Sequence, residues 1–316
     1  MQNTRGFAKI EPRCLKGVSS LTYRVGIIGA GALGLLYAGM LRADVTLYTH
    51  SERQAVAINE NNGIAVRLTG TEKEAAIRGV RIEKADFLEM DLVIVTVKSY
   101  QLDSLEKQWG EIPLETPLLF LQNGIGHLEL LANLPQETIL VGSCEHGVGK
   151  IDDRVAEWRG MGRTNWALYR GRANEALYGI FDANPDFLFL EQVDYREMLY
   201  NKLLVNAVIN PLTAVLGVSN GALLHNEYML ELLKRLTEEV ATVLAREEAF
   251  QKVSGICEAT ALNFSSMATD VKEKRRTEIE SITGAVVKLA KRQGKPAPIS
   301  ETLYGLLKGL EGEYLQ

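Results

Sequence analysis

The chain has 316 residues, 46% of them hydrophobic and 24% charged, with a net charge of -5, a length and composition that suit two packed domains better than one core. The acidic balance excludes a general nucleic-acid binder, because no surplus of Lys or Arg is left to neutralise phosphates. No continuous apolar run approaches the ~20 residues of a membrane span, and the dispersed Cys14, Cys144, Cys257, His50, His127, His146 and His225 offer neither metal-ligand spacing nor a disulfide framework, which points to a reducing cytoplasm and no bound metal.

Residues 1–21 carry Arg5, Lys9, Arg13 and Lys16 without an apolar core and read as an N-terminal extension of unknown role, not a secretory signal. Tyr23 to Ile28 is a β-branched run ending at glycine, and Ala32 to Arg42 reads as a helix. Val45 to Tyr48 predicts a second strand. Asp91 to Val97 and Pro117 to Leu121 are nearly unbroken apolar runs, as expected for strands of a parallel sheet covered on both faces. Strands alternating with helices predict right-handed βαβ units and an α/β, Rossmann-like doubly wound domain over residues 22–191. Ser143 to Tyr169 changes to short alternating strands with glycine turns, predicting antiparallel additions at the sheet edge. From about Gln192 strand signals cease, and residues 192–316 read as an all-helical domain broken at Pro211, at Gly217 to Gly221, at Gly255 and at Gly294-Lys295-Pro296.

Gly29-Ala30-Gly31-Ala32-Leu33-Gly34 lies between the first strand and the first helix. In that setting the first glycine makes a tight turn, the second lets a pyrophosphate approach the backbone, and the third lets helix and strand pack closely. The helix N-terminus then faces the anion. The second strand is followed by His50, Ser51, Glu52 and Arg53, with no acid at its end to hold ribose hydroxyls. Ser51, Arg53 and a protonated His50 favour NADP over NAD, with Glu52 opposing. In open α/β sheets the ligand crevice lies beyond the carboxyl ends of the strands. Lys98 and Gln101, and then Gln122-Asn123-Gly124, fall there; singly, each also reads as a surface lysine or a simple turn.

In the helical half, Lys202, Asn206 and Asn210 stand four residues apart among Leu203, Leu204, Val205, Ala207, Val208 and Ile209. That spacing stacks them on one helix face. They form either a ligand-facing polar ladder or the solvated stripe of an amphipathic helix. Pro211 predicts that the helix kinks or ends where the ladder ends. Glu278 falls on an apolar helical stripe with Val271, Ile282, Ala285 and Leu289, as a functional carboxylate or as half of an interhelical ion pair. Asn263, Ser265 and Ser266 precede that helix, and either serine can serve as its N-cap.

Taken together, GAGALG at 29–34, VTVKSYQ at 95–101, LQNG at 121–124, NKLLVNAVINPLTA at 201–214, NFSSM and the TEIE that ends at Glu280 make the chain resemble the ketopantoate reductase family (2-dehydropantoate 2-reductase) from Tyr23 onward. The resemblance implies an NADPH-dependent reduction of 2-dehydropantoate to pantoate, in pantothenate and coenzyme A biosynthesis, in a cleft between the two domains. It implies Lys202 as general acid and Glu278 as the active-site carboxylate. It also implies that Asn206, Asn210, Asn263 and Ser266 hold the substrate, and that Lys98 and Asn123 line its junction with the cofactor. The family often has arginine where this chain has His50, so phosphate recognition falls more on Arg53. Other readings are reduction of a different small 2-oxo acid, or a nucleotide-binding regulator without turnover. A small-molecule substrate is the expected partner, for a monomer or a homodimer.

Overall fold

The structure is a computed structural model that describes residues 22–68 and 70–315; the extension expected over residues 1–21 lies outside the described residues. An eight-stranded sheet forms its centre. Six of its strands run parallel: β1 (Arg24–Ile28), β2 (Asp44–Thr49), β5 (Arg78–Arg81), β6 (Leu92–Val95), β7 (Leu118–Phe120) and β8 (Ile139–Cys144). β11 (Thr164–Arg170) adds antiparallel to β8, and β12 (Phe189–Glu191) closes that edge. The spatial order is β12-β11-β8-β7-β6-β1-β2-β5, so the chain reverses direction of travel at β1, where a crevice opens beyond the strand ends. β6 and β7 are wholly buried, which is why they read as unbroken apolar runs.

A second, four-stranded sheet escaped the sequence reading. It consists of β3 (Ile64–Leu68), β4 (Thr71–Ala75), β9 (Gly147–Lys150) and β10 (Val155–Gly160), in the order β4-β3-β10-β9. Only β8 and β11 therefore form the antiparallel addition expected of Ser143 to Tyr169; β9 and β10 leave for the other sheet. Between the two sheets lies α1 (Ala32–Met40), whose residues Gly34 to Gly39 are all buried. A helix covered on every side needs no polar face, and α1 has none. Tyr37 anchors it, packing edge-on against Phe187 at 4.9 Å and pairing its hydroxyl with that of Thr164. α2 (Glu52–Glu60), α3 (Glu106–Glu111), α4 (Leu128–Leu131) and α5 (Glu175–Asp182) complete the covering of the central sheet.

The helical half begins with α6 (Tyr195–Leu216) and continues through α7 (Ala222–His225), α8 (Glu227–Leu244), α9 (Ala249–Ala259), α10 (Ser266–Lys272), α11 (Thr283–Gln293) and α12 (Pro298–Tyr314). Asp194 caps α6 through the Arg196 and Glu197 amides. By length and composition α6 would suffice to cross a membrane, but its buried residues pack into the helical core beside α8, α10 and α12.

Three expectations are corrected here. α6 does not end at Asn210 but runs through Pro211 to Gly217, whose φ of +67° closes it. The Thr213 hydroxyl donates to the Ile209 carbonyl at 2.8 Å, supplying a side-chain bond in the turn where proline withholds a backbone one. Gly255 lies inside α9 and breaks nothing. Glu278 is not helical: α10 stops at Lys272, Lys274 takes a left-handed φ of 53°, and α11 starts only at Thr283. The apolar spacing that suggested one long helix continues through a turn.

Candidate functional site

The crevice has the glycine loop on one side. Gly29 has φ +110°, and a Cβ there would stand 2.8 Å from the Val97 amide. A Cβ on Gly34 would stand 1.8 Å from the Gly29 carbonyl, so only glycine lets α1 start so close to β1. Gly31 differs: a Cβ there would meet nothing within 4 Å. It is the N-cap of α1 and offers no side-chain acceptor to the first helical amides, so the N–H groups of the first turn lack an intrahelical partner there. Gln54 braces the loop by donating to the Ala30 carbonyl at 2.8 Å. A pyrophosphate fits this cradle by the donor chemistry present.

At the carboxyl ends of β6 and β7, two loops meet the segment 270–282 of the helical half. Lys98 pairs with Asp270, which is 3% exposed and also accepts from the Arg275 Nε at 3.0 Å. The Gln101 side chain accepts from the Lys98 amide at 3.0 Å. Asn123 Nδ2 donates to Glu278 at 3.0 Å, and the Ser99 and Ser281 hydroxyls stand 2.9 Å apart. Gly124, at φ +81°, approaches so closely that a Cβ would lie 1.9 Å from the Ser281 carbonyl. Gln122 turns inward, donating to the Val95 and Val97 carbonyls and fixing the strand end.

Glu278 is 7% exposed. Its turn is held by Glu311 of α12, which accepts from the Thr277 amide and hydroxyl, each at 2.7 Å. Lys202 reaches the Cys144 carbonyl at 2.6 Å. Burial strips water from its ammonium and lowers its pKa, opposed by the charges of Cys144, Glu278 and Glu145. Among the described residues no ion pair joins Lys202 to Glu278, yet the carboxylate's field reaches the ammonium. Asn206 and Asn210 continue from Lys202 along α6; Asn210 is 7% exposed, and neither side-chain amide bonds any described residue. Lys202 and Asn206 are half-buried and Asn210 is buried, more than a solvated stripe would be.

Asn263 and Ser266 lie at the entrance to α10, both exposed, while Ser265 is the buried N-cap, accepting from the Ala268 amide. His50 is exposed past β2. Arg53 is engaged with Asp153 at 2.8 Å. Sequence reasoning missed Asp270, Ser99, Ser281 and Glu311, whose partners lie far away along the chain. A buried acid on an apolar helix face, as at Asp270, is the one signal that could have found them. His146 was noted only as a dispersed histidine; it stacks on Phe187 at 4.5 Å, and burial, assisted by the Lys202 charge, pushes its pKa down to about 4.

Two family models match the chain: "Ketopantoate reductase PanE/ApbA" over residues 25–171 and "Ketopantoate reductase PanE/ApbA C terminal" over residues 194–311. A 2-dehydropantoate 2-reductase of Listeria monocytogenes is 44% identical over 296 residues, covering 92% of this chain and 97% of its own. Among solved structures, a probable 2-dehydropantoate 2-reductase of Bacillus subtilis is 37% identical with a TM-score of 0.81, over 91% of this chain and 100% of its own. D-mandelate dehydrogenase with NADH and anilino(oxo)acetate is 25% identical with a TM-score of 0.81, over 92% of this chain and 99% of its own.

Proposed function

The chain belongs to the ketopantoate reductase family, and on that premise we propose that it reduces the ketone of 2-dehydropantoate to the alcohol of pantoate, with NADPH preferred over NADH. One observation carries this reading: a desolvated lysine lies within the field of a buried carboxylate, on a helix face that also carries two side-chain amides bonded by no described residue. Bound in the glycine cradle, the nicotinamide cofactor supplies the hydride. Negative charge then develops on the ketone oxygen, and Lys202 stabilises it and delivers the proton as general acid, a contribution of roughly 10² to 10⁴ in rate. To do so its ammonium exchanges the Cys144 carbonyl for the substrate oxygen. Glu278, oriented by Asn123, bonds a substrate hydroxyl or orients the ammonium. Asn206, Asn210, Asn263 and Ser266 bind the substrate's carboxylate and hydroxyl without adding another charge. His50 and Arg53 lie at the adenosine end, and Lys98 and Gln101 at the nicotinamide end. The free thiols of Cys144 and Cys257 suit a reducing cytoplasm.

The likeness to D-mandelate dehydrogenase favours, as second reading, another small 2-oxo acid. Oxidation of NADPH followed by its absorbance with 2-dehydropantoate, with phenylglyoxylate and with neither separates the readings. We expect turnover with 2-dehydropantoate, and its loss in Lys202→Ala with NADPH still bound. Turnover on phenylglyoxylate alone would establish the second reading, and none on either would leave a nucleotide-binding regulator.

A further inference from the structure

β2 and β5 are parallel neighbours, with Thr49 opposite Arg81. Their carboxyl ends therefore open on the same patch of the crevice, where a dinucleotide laid on the glycine loop places its adenosine ribose. His50 follows β2 there and is exposed. Arg53, in the first turn of α2, is engaged with Asp153 at 2.8 Å. Arg81 puts a permanent cation at the end of β5, with its side chain 28% exposed. Its Nε donates to Glu83 at 2.7 Å and lies 3.9 Å from Glu52, while Lys84 lies 3.9 Å from the other Glu52 oxygen. Glu83 also feels the His50 charge. Two carboxylates thus pair with a guanidinium and an ammonium beside the second strand, on side chains that are partly to mostly exposed.

We propose that Arg81 is the specificity-determining residue for the cofactor's 2′-phosphate, with Glu83 as the anion it releases on binding; this rests on the NADPH preference proposed above. A guanidinium offers forked donors that match a phosphate as they match a carboxylate. The exchange trades one bound anion for another of higher charge, so it favours a 2′-phosphate over a 2′-hydroxyl. The same carboxylates can accept from a ribose hydroxyl when no phosphate is present, so Glu52 and Glu83 set how far NADPH is preferred.

The test uses the full chain and two probes that lack nicotinamide, adenosine 2′,5′-bisphosphate and 5′-AMP, titrated by calorimetry. Arg81→Ala should weaken the bisphosphate roughly ten- to a hundredfold, as loss of a charged hydrogen bond does, and leave 5′-AMP within about twofold. Glu83→Gln should tighten the bisphosphate by removing the competing anion. Equal loss of both probes in Arg81→Ala, or loss of neither, would overturn the assignment while wild-type discrimination kept the NADPH preference standing. A wild-type chain that binds both probes equally would remove the preference and Arg81's role together. A Glu83→Gln variant with unchanged or weaker bisphosphate binding would show that Arg81 is not released toward the ligand.

Discussion

Desolvation lowers the pKa of Lys202 below that of a lysine in water. Its ammonium keeps one visible partner, the Cys144 carbonyl, and two polar neighbours on α6 with free amides. Such a residue is costly to bury unless a ligand completes its shell, which is the physical content of the ladder seen in the sequence. Other buried titratable groups serve differently. His127 is 3% exposed, neither ring nitrogen has a partner among the described residues, and burial pushes its pKa down to about 4. In the unfolded chain its pKa returns to about 6.5, so between those values the unfolded state binds more protons. Stability must then fall as pH drops from about 6.5 to about 4, by roughly 3 kcal/mol at full effect, and His146 acts with the same sign. His127→Leu should flatten the fall in Tm across that window, whatever its offset at neutral pH. An unchanged slope would mean that the His127 ring already finds a proton acceptor.

At the scale of elements, the legible features were those whose surroundings impose a period or a charge pattern. β6 and β7 were readable because both their faces are buried. β3 and β4 were not: Thr71 to Ala75 is almost entirely exposed, and its Thr-Glu-Lys-Glu sequence carries no apolar signal. Glu278 was found for an incorrect reason. Its spacing from Val271 and Ile282 suited a helix, while the true constraint is Glu311, one helix further along, pinning Thr277. The glycine loop was legible in full, and its three glycines have separable roles. Gly31→Val adds atoms where the structure is open, so the variant should keep its Tm within a few degrees and lose nucleotide binding. Gly34→Ala drives a methyl into the Gly29 carbonyl, and should cost roughly 1–3 kcal/mol of stability as overpacking does. Denaturation and NADPH titration on the two variants should show the losses falling on different quantities. Intact NADPH affinity in Gly31→Val would remove the cradle from the cofactor site.

At the scale of the whole molecule, the candidate site gathers residues from both halves where they meet. The loops after β6 and β7 supply Lys98, Ser99, Tyr100 and Asn123, and the segment 270–282 supplies Asp270, Arg276, Glu278 and Ser281. Arg276 sits over the Tyr100 ring at 4.5 Å, and the Ile125 amide donates to the Ser281 carbonyl at 3.0 Å. Several of these contacts carry charge, so the two halves are coupled partly through electrostatics. The Lys98–Asp270 pair is the strongest candidate for that coupling, because Asp270 is buried and Lys98 is partly so, with 33% of its side chain exposed. Removing only Lys98 leaves Asp270 its Arg275 partner; removing the Asp270 charge leaves Lys98 unpaired and Arg275 with Glu273 alone. Asp270→Asn should therefore cost more than Lys98→Met, and should raise KM for 2-dehydropantoate through the altered position of Lys98. In a double-mutant cycle the coupling should fall in the range of about 0.5–3 kcal/mol for contacting charges, and should shrink as salt screens the exposed ammonium. Denaturant midpoints for the four chains, at low and at high ionic strength, measure this directly. Additive single losses that ignore salt would show that the halves are held by their apolar and hydroxyl contacts alone, with Lys98 left to the cofactor.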